Sequence, residues 1–143
     1  MILGIGSDLT NINRIKRIID RYGDRFRDRV FSQEEKEKAM SSKSQANSYA
    51  KRWAAKEALS KALGTGLQMG IAWKDMTVSN LETGQPTMSV SGQAKKHLRK
   101  LIQTGQVAKI HLSLTDDYPW AQAFVIIESR VLVSSPNTET EDL

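Results

Sequence analysis

The sequence predicts an α+β fold, and three observations lead to this class. The chain opens on an alternating apolar pattern typical of a strand, three later segments carry apolar residues at helical spacing, and two apolar segments near the end have the composition of a β-hairpin. With 143 residues, of which 39% are hydrophobic and 26% charged, the chain matches one ordinary globular domain. We expect that domain over residues 1–133 and a polar, acidic, disordered tail over residues 134–143.

The opening strand leads to a carboxylate. The side chains of residues 2–9 alternate between two faces of the strand. On one face, Gly4 and Gly6 have no side chain, and the next residue on that face is Asp8. We therefore expect the Asp8 side chain to be sterically accessible. On its own this aspartate is weak evidence of a site, because a turn or a helix cap explains it more simply.

The first predicted helix presents a stripe of arginines. In residues 11–22 the apolar side chains fall at helical spacing and form one face. A separate face, here called the arginine stripe, consists of Arg14, Arg17 and Arg21. One face of this helix should pack against the protein while the other carries positive charge.

The strongest helical pattern covers residues 45–63, which are rich in alanine, lysine and leucine. Before it, a capping-box pattern at residues 32–35 predicts a short helix that breaks at residues 41–44. The turn Gly64-Thr65-Gly66 follows the long helix, and a helix C-cap is enough to explain it.

The second half of the chain predicts β-structure around one more helix. The expected elements are strands at 75–80 and 87–90, a helix at 92–103, and hairpin strands at 109–115 and 121–133. The last strand contains the run Phe124-Val125-Ile126-Ile127, and this continuous apolar run indicates burial on both faces.

The charge of the chain indicates an anionic partner. The net charge is +5 although the tail carries three acids and no base, so the rest of the chain is more basic still. A nucleic acid, an acidic protein or a phosphate-rich small molecule would each fit this charge. No apolar run is long enough to cross a membrane, and neither a secretory-signal pattern nor a cysteine is present, so we expect a cytoplasmic protein without a membrane partner.

One carboxylate on the long helix stands out from its surroundings. Glu57 falls within a stripe of apolar residues, where an isolated charge is costly. Lys61 lies four residues later, so an ordinary helix ion pair is one explanation. The alternative is that Glu57 and Asp8 together hold a hard cation, with Lys61 beside it to meet phosphate oxygens, because magnesium is usually held by two carboxylates, phosphate and waters.

A second function class has to be weighed against this site. A basic helical face is formed by Lys95, Lys96, Arg99 and Lys100, with His97 among them. A solvated surface is the simplest explanation of this face. The alternative function for the chain is a nucleic-acid-binding module without catalysis, which the positive charge would also fit. Aromatic residues do not alternate with these basic residues in the pattern typical of RNA-binding motifs. The other histidine, His111, falls on a predicted strand and is expected to be structural.

Two motifs resemble those of the bacterial holo-(acyl-carrier-protein) synthase family. The first is Gly4-Ile5-Gly6-Ser7-Asp8-Leu9, followed by Arg14-Ile15. The second, more specific motif is Arg52-Trp53-Ala54-Ala55-Lys56-Glu57-Ala58, which continues to Lys61 and the 64–66 turn. The similarity extends through residues 111–116 to Glu128, so it covers nearly everything except the tail.

The resemblance implies a fold, a reaction and a set of site residues. The fold is the 4′-phosphopantetheinyl transferase fold, in which an antiparallel sheet packs against a long central helix. The reaction moves the 4′-phosphopantetheine group of coenzyme A to a serine of apo acyl carrier protein, releases 3′,5′-ADP, and serves fatty acid biosynthesis. The implied residues are Asp8 and Glu57 for magnesium; Lys61 for the attacked phosphate; Lys43, Lys61, Gly64, Thr65 and Gly66 for coenzyme A; and Arg14, Arg17 and Arg21 for the acidic carrier. A homotrimer with active sites between subunits is implied as well.

The expected mechanism assigns a proton acceptor and a cation. No histidine is placed to act as the base, so our hypothesis is that Glu57 accepts the serine proton, directly or through a bound water. Lys61 is expected to neutralise charge on the bridging or leaving oxygen. The sequence also departs from the family pattern at one position. Many family members carry a histidine near the nucleotide phosphate where this chain has Asp116 in Ser113-Leu114-Thr115-Asp116. An aspartate repels a phosphate, so another basic residue must serve the nucleotide.

Overall fold

Strands from the two ends of the chain form one antiparallel sheet. The computed structural model describes residues 1–132, so the tail expected over 134–143 lies outside the described residues. The elements are β1 (Ile2–Asn11), α1 (Ile12–Tyr22), α2 (Asp24–Val30), α3 (Gln33–Met40), α4 (Gln45–Ala62), β2 (Met76–Asn80), β3 (Pro86–Val90), α5 (Gly92–Leu101), β4 (Gln106–Asp117) and β5 (Trp120–Val131). The main sheet has the order β1-β5-β4, and β2 pairs with β3 in a separate two-stranded sheet. The α+β class is confirmed.

The long helix α4 packs on one face of the main sheet, as expected. Its small residues Ala54, Ala55 and Ala58 are fully buried, which allows the helix to approach the strands closely. Strand β1 contributes to this approach through glycines, because a Cβ atom on Gly4 or Gly6 would overlap the carbonyl oxygen of Ala62 or Ala58. The glycine face of β1 is therefore covered by α4 rather than open, and this contact brings the end of β1 beside the helix.

A second apolar cluster holds α1 and α2 against the first half of α4. It contains the buried side chains of Ile12, Ile15, Val30, Phe31 and Tyr49. The rings of Trp53 and Trp73 stack against its edge with centroids 4.2 Å apart. Helix α1 is therefore fixed by its apolar face, and its arginine stripe remains on the outside.

The prediction that β5 is buried on both faces was wrong. Along the strand, buried Ala121, Ala123, Val125 and Ile127 alternate with more exposed residues, and Phe124 is 43% exposed. The buried side chains point towards α4, whereas no described element covers the other face. The apolar run Phe124–Ile127 thus reflects an open apolar sheet face.

Two further local predictions need correction. Helix α2 was not expected at all, and Asp75, expected in a strand, lies in a short 3-10 turn over residues 73–75. The Asp75 carboxylate accepts hydrogen bonds from the backbone amides of Ala72 and Gln93, which explains its position before β2. The capping box between Ser32 and Glu35 and the break before α4 are confirmed.

A buried ion pair connects α3 to α4. The Lys56 ammonium lies 2.8 Å from the Glu35 carboxylate, and both side chains are fully buried. Lys56 also donates to the carbonyl oxygens of Val30 and Trp73, while Glu35 accepts from the backbone amide of Val78. All groups in this cluster are paired, which is the condition for retaining charges in a protein interior.

The structure also bears on membranes. In the part of the chain that it describes, no helix has the length and apolar character needed to span a bilayer.

Candidate active site

The structure brings Asp8, Lys61 and Glu57 together where the end of β1 meets the second half of α4. The Lys61 ammonium lies 3.3 Å from Asp8 Oδ1 and donates to the Ser7 carbonyl oxygen at 3.0 Å. The Thr10 hydroxyl donates to Asp8 Oδ2 at 2.6 Å, which fixes the other carboxylate oxygen. The side chain of Asp8 is only 15% exposed, so the expectation of easy access was wrong, because the glycine face is covered by α4.

Glu57 faces the same place from the helix. Burial raises the pKa of Glu57, and the negative charge of Asp8 raises it further, against opposing effects of Lys61 and Arg14. In the described residues Lys61 forms its ion pair with Asp8 and not with Glu57, so the ordinary i, i+4 helix pair is not present. Two acids and a lysine therefore share one electrostatic environment.

This donor set fits a magnesium ion. A divalent cation between two ionised carboxylates offsets the repulsion between their negative charges. Among the described residues, no group of three or more His, Cys, Asp or Glu side chains could hold a metal. At this place the described residues supply two carboxylates, Asp8 and Glu57, and oxygens of a phosphate group and of waters would supply the remaining ligands that magnesium requires.

The turn after α4 has the geometry of a helix C-cap. Gly64 and Gly66 have positive φ angles of 81° and 56°, and their amides donate to the carbonyl oxygens of Lys61 and Ser60. The Thr65 hydroxyl donates to the Gly66 carbonyl at 2.7 Å. The helix-cap interpretation is confirmed, and the turn begins three residues after Lys61. A coenzyme A role for Gly64, Thr65 and Gly66 stays a prediction.

Lys43 lies in a basic cavity away from the carboxylates, between the start of α4 and the β2–β3 hairpin. The cavity has a volume of about 370 Å³. Its lining includes the basic residues Lys38, Lys43, Lys51 and Arg52, which we call the basic pocket. From the sequence only Lys43 was assigned to coenzyme A. Lys38, Lys51 and Arg52 lie within nine residues of it, but nothing in their spacing indicates that they share a pocket.

Arg52 is the most buried cation of the basic pocket. It is 4% exposed, donates to Ser48 and to the Asn80 side-chain oxygen, and has no carboxylate within 4 Å in the described residues. Its Nε has no hydrogen-bond partner among the described residues. Burial lowers the pKa of the guanidinium, the direction expected for a cation kept from water without a matching anion.

The unusual Asp116 lies beside this pocket. Its two carboxylate oxygens accept a hydrogen bond from Asn47 Nδ2 at 2.9 Å and an ion pair with Lys51 at 3.3 Å. The hydrogen bond from Asn47 and the charge of Lys51 lower the pKa of Asp116. Its negative charge is thus partly offset by a cation from the pocket wall.

The arginine stripe is exposed along α1, as predicted. Arg14, Arg17 and Arg21 form no ion pair within 4 Å in the described residues, so their charges are available to a partner. Beside the stripe, α1 and α2 enclose a cavity of about 390 Å³ that is lined by Ile18, Tyr22, Arg25, Phe26 and Arg29. Positive charge and apolar surface therefore occur on one side of the molecule.

Both histidines contact other groups of the protein, as expected for His111, whereas His97 was expected only on a solvated basic face. His111 lies 3.1 Å from Glu128 across the β4–β5 pair, and His97 on α5 lies 3.4 Å from the Met69 carbonyl oxygen. Helix α5 keeps Lys95, Lys96, Arg99 and Lys100 exposed, as expected of a solvated face.

Comparison with known proteins identifies the family. The family model described as the 4′-phosphopantetheinyl transferase superfamily matches residues 4–123. The holo-(acyl-carrier-protein) synthase of Ruegeria pomeroyi is 70% identical over 132 residues, which cover 92% of this chain and 89% of that protein.

Solved structures agree with this result. The holo-(acyl-carrier-protein) synthase of Neisseria meningitidis superposes with a TM-score of 0.77 at 32% identity and covers 90% of this chain and 99% of its own. The Bacillus anthracis synthase, solved in complex with CoA (3′,5′-ADP), gives a TM-score of 0.72 at 32% identity, with coverage of 91% and 99%. The chain therefore belongs to the 4′-phosphopantetheinyl transferase superfamily and, within it, to the holo-(acyl-carrier-protein) synthase family.

Proposed function

We infer that the protein transfers the 4′-phosphopantetheine group of coenzyme A to a serine of apo acyl carrier protein, producing holo carrier and 3′,5′-ADP. The observation that carries this conclusion is the meeting of Asp8, Glu57 and Lys61 in a chain 70% identical to a holo-(acyl-carrier-protein) synthase. An apo carrier incubated with the protein and coenzyme A should gain one phosphopantetheine group. The comparisons give no support to a nucleic-acid-binding module.

The residues of the site suit the chemistry of this transfer. The carrier serine oxygen attacks the phosphorus that bears the pantetheine arm, and the bond from that phosphorus to the bridging oxygen breaks, so that 3′,5′-ADP leaves. Glu57 accepts the serine proton, directly or through a bound water, because it is the carboxylate that faces Asp8 and Lys61 from the helix. Lys61 supplies positive charge next to Asp8, where it can meet phosphate oxygens. Magnesium, held by Asp8 and Glu57, would withdraw charge from the pyrophosphate.

The basic pocket is proposed to receive the nucleotide end of coenzyme A. It gathers Lys38, Lys43, Lys51 and Arg52, and no acid is among its lining residues. The bound nucleotide carries several negative charges, so a buried guanidinium without a carboxylate partner is well suited to it. The turn Gly64-Thr65-Gly66 is proposed to contact the same substrate nearer the reacting phosphorus.

We also propose that the protein is a homotrimer with sites between subunits. The open face of the main sheet exposes Ile5, Leu9, Trp120 and Phe124, an apolar patch of the kind that subunit contacts cover. On α4, Lys51 and Glu57 are separated by about 9 Å along the axis and about 120° around it. The nucleotide pocket and the acidic pair thus lie on different sides of the helix, which favours a site completed by a neighbouring subunit.

The oligomeric state is measured by light scattering after size-exclusion chromatography. We expect a mass three times that of the 16.0 kDa chain. Phe124→Asp, which places a charge on the open sheet face, should shift the protein to a smaller species while Lys95→Asp on α5 should not. A monomeric wild type at working concentration would contradict the trimer.

The arginine stripe is proposed as the docking surface for the acidic carrier. Arg21→Glu should raise KM for the carrier roughly threefold to tenfold, because one attraction becomes a repulsion, with little change in KM for coenzyme A. Arg14→Glu should act in the same direction. Because the charge of Arg14 also lowers the pKa of Glu57, this variant is interpreted only together with Arg21→Glu. Added salt should weaken wild-type carrier binding.

The control for carrier docking is Lys96→Glu, which reverses an exposed charge on α5. Steady-state kinetics at varied carrier concentration give the result. An unchanged carrier KM in both arginine variants would remove α1 from the docking surface.

We further propose that the protein acts in the cytoplasm and that its carrier serves fatty acid biosynthesis. Both statements rest on the family to which the chain belongs.

A further inference from the structure

One acid lies beside the basic pocket. Asp116 is not part of the pocket lining, yet both of its carboxylate oxygens are bound to side chains that are: Asn47 at 2.9 Å and Lys51 at 3.3 Å. These two residues are one turn apart on α4, whereas Asp116 lies at the end of β4. A single carboxylate therefore ties one wall of the pocket to the main sheet.

This arrangement leaves Lys51 able to bind a second anion. A lysine ammonium has three donors, and the ion pair with Asp116 is the one side-chain partner of Lys51 in the described part of the chain. Lys51 is part-buried, with 29% of its side chain exposed, so the ammonium is reachable from the pocket. A lysine has a long flexible stem, and an anchored ammonium loses less freedom when a ligand binds.

We propose that Lys51 binds a phosphate group at the nucleotide end of coenzyme A and that Asp116 is the positioning residue that holds Lys51 at the pocket. This inference rests on the proposed function, which it deepens by naming a specificity residue. The proposal also explains why an acid lies beside a phosphate site, although its negative charge by itself would repel the phosphate.

The sign of the Asp116 effect separates this proposal from simple repulsion. Asp116 removes about one positive charge from the wall, but Lys38, Lys43 and Arg52 keep the pocket cationic. If placement of Lys51 dominates, loss of Asp116 weakens the binding of coenzyme A. If repulsion dominates, the same change strengthens it.

The experiment is a double-mutant cycle on KM for coenzyme A. Lys51→Ala should raise this KM about tenfold, and Asp116→Ala about threefold, with kcat changing less than KM in each. In the Lys51→Ala background, Asp116→Ala should have no further effect, because it acts through Lys51. Lys95→Ala, on the exposed face of α5, is the control, and melting temperatures check that every variant folds.

In this cycle, a lower KM in Asp116→Ala or additive effects in the double variant would overturn the inference. Dephospho-coenzyme A, which lacks the 3′-phosphate, distinguishes which phosphate Lys51 binds. If Lys51→Ala no longer affects KM with this analogue, the contact is to the 3′-phosphate. If the effect persists, the contact is to the pyrophosphate.

Calorimetry with 3′,5′-ADP tests the pocket without turnover. Lys51→Ala should weaken binding of this nucleotide, and unchanged affinity would overturn the inference even if the wild type transfers phosphopantetheine. Conversely, a wild type that binds 3′,5′-ADP through Lys51 but modifies no apo carrier would contradict the proposed reaction and leave the phosphate contact standing.

Discussion

Glu57→Gln is expected to reduce the turnover number by about two to four orders of magnitude, since it removes the proposed general base. The amide keeps the size of the side chain, so the packing of α4 against β1 should survive. It cannot accept the serine proton, and it is a poorer ligand for magnesium than a carboxylate. Steady-state kinetics at saturating magnesium, coenzyme A and carrier give the result.

The same substitution should make the folded protein more stable near neutral pH. The pKa of Glu57 is raised in the folded state by burial and by Asp8, so its ionised form is disfavoured there relative to the unfolded chain. The wild type therefore loses stability as the pH rises through the pKa values of Glu57, and glutamine removes this loss. Below the ordinary glutamate pKa of about 4.3, both states bind the proton and the difference should disappear.

Opposite changes in activity and stability distinguish a catalytic role from a folding role. Melting curves at pH 7.5 and pH 4 provide the stability comparison, and Glu82→Gln, at an exposed turn, is the matched control. Near-normal turnover in Glu57→Gln would show that another group accepts the proton. A lower melting temperature at neutral pH would show that the carboxylate is stabilising rather than strained.

Lys56→Met is expected to destabilise the fold by about 3–5 kcal/mol, because it leaves the buried Glu35 carboxylate without its cation. Methionine has a similar length, so the loss comes from charge and hydrogen bonding rather than from volume. The backbone carbonyl oxygens of Val30 and Trp73 also lose their donor. The measurement is the free energy of unfolding from urea titration.

The control for Lys56→Met is Lys36→Met, which breaks an ion pair to an exposed partner, Asp28, at a comparable distance of 2.7 Å. That change should destabilise the fold far less than Lys56→Met, because water screens the exposed pair. Equal effects of the two substitutions would contradict the importance of burial. Since Lys56 directly precedes Glu57, this pair also fixes the rotation of α4 that turns Glu57 towards Asp8.

Local patterns were enough to predict most helices and strands. They did not show which faces of these elements are covered by other parts of the protein. The run Phe124–Ile127 is apolar on both sides, and only the three-dimensional arrangement shows that one side lacks a covering element. Helix α2 was missed because, within residues 24–30, only Phe26 and Val30 supply an apolar pattern. Its position depends on contacts with α1 and α4 rather than on local propensity.

For the candidate site, too, the sequence indicated individual residues but not how they come together. Gly4 and Gly6 before Asp8, and Glu57 within an apolar stripe, are signals that a single sequence contains. Their meeting with Lys61 depends on the close approach of β1 to α4, which the glycines permit. The ion pair between Lys51 and Asp116 joins residues far apart in the chain, and no periodic pattern connects them.

The central claim is tested most directly by intact-mass spectrometry of an apo acyl carrier protein incubated with this protein and coenzyme A. The account predicts a gain of one phosphopantetheine mass that requires magnesium, stops when the metal is chelated, and is absent with Asp8→Ala. Parallel melting curves show whether Asp8→Ala is folded. An unchanged carrier mass with several apo carriers, or full modification by Asp8→Ala in chelator, would contradict the proposed reaction or its metal site.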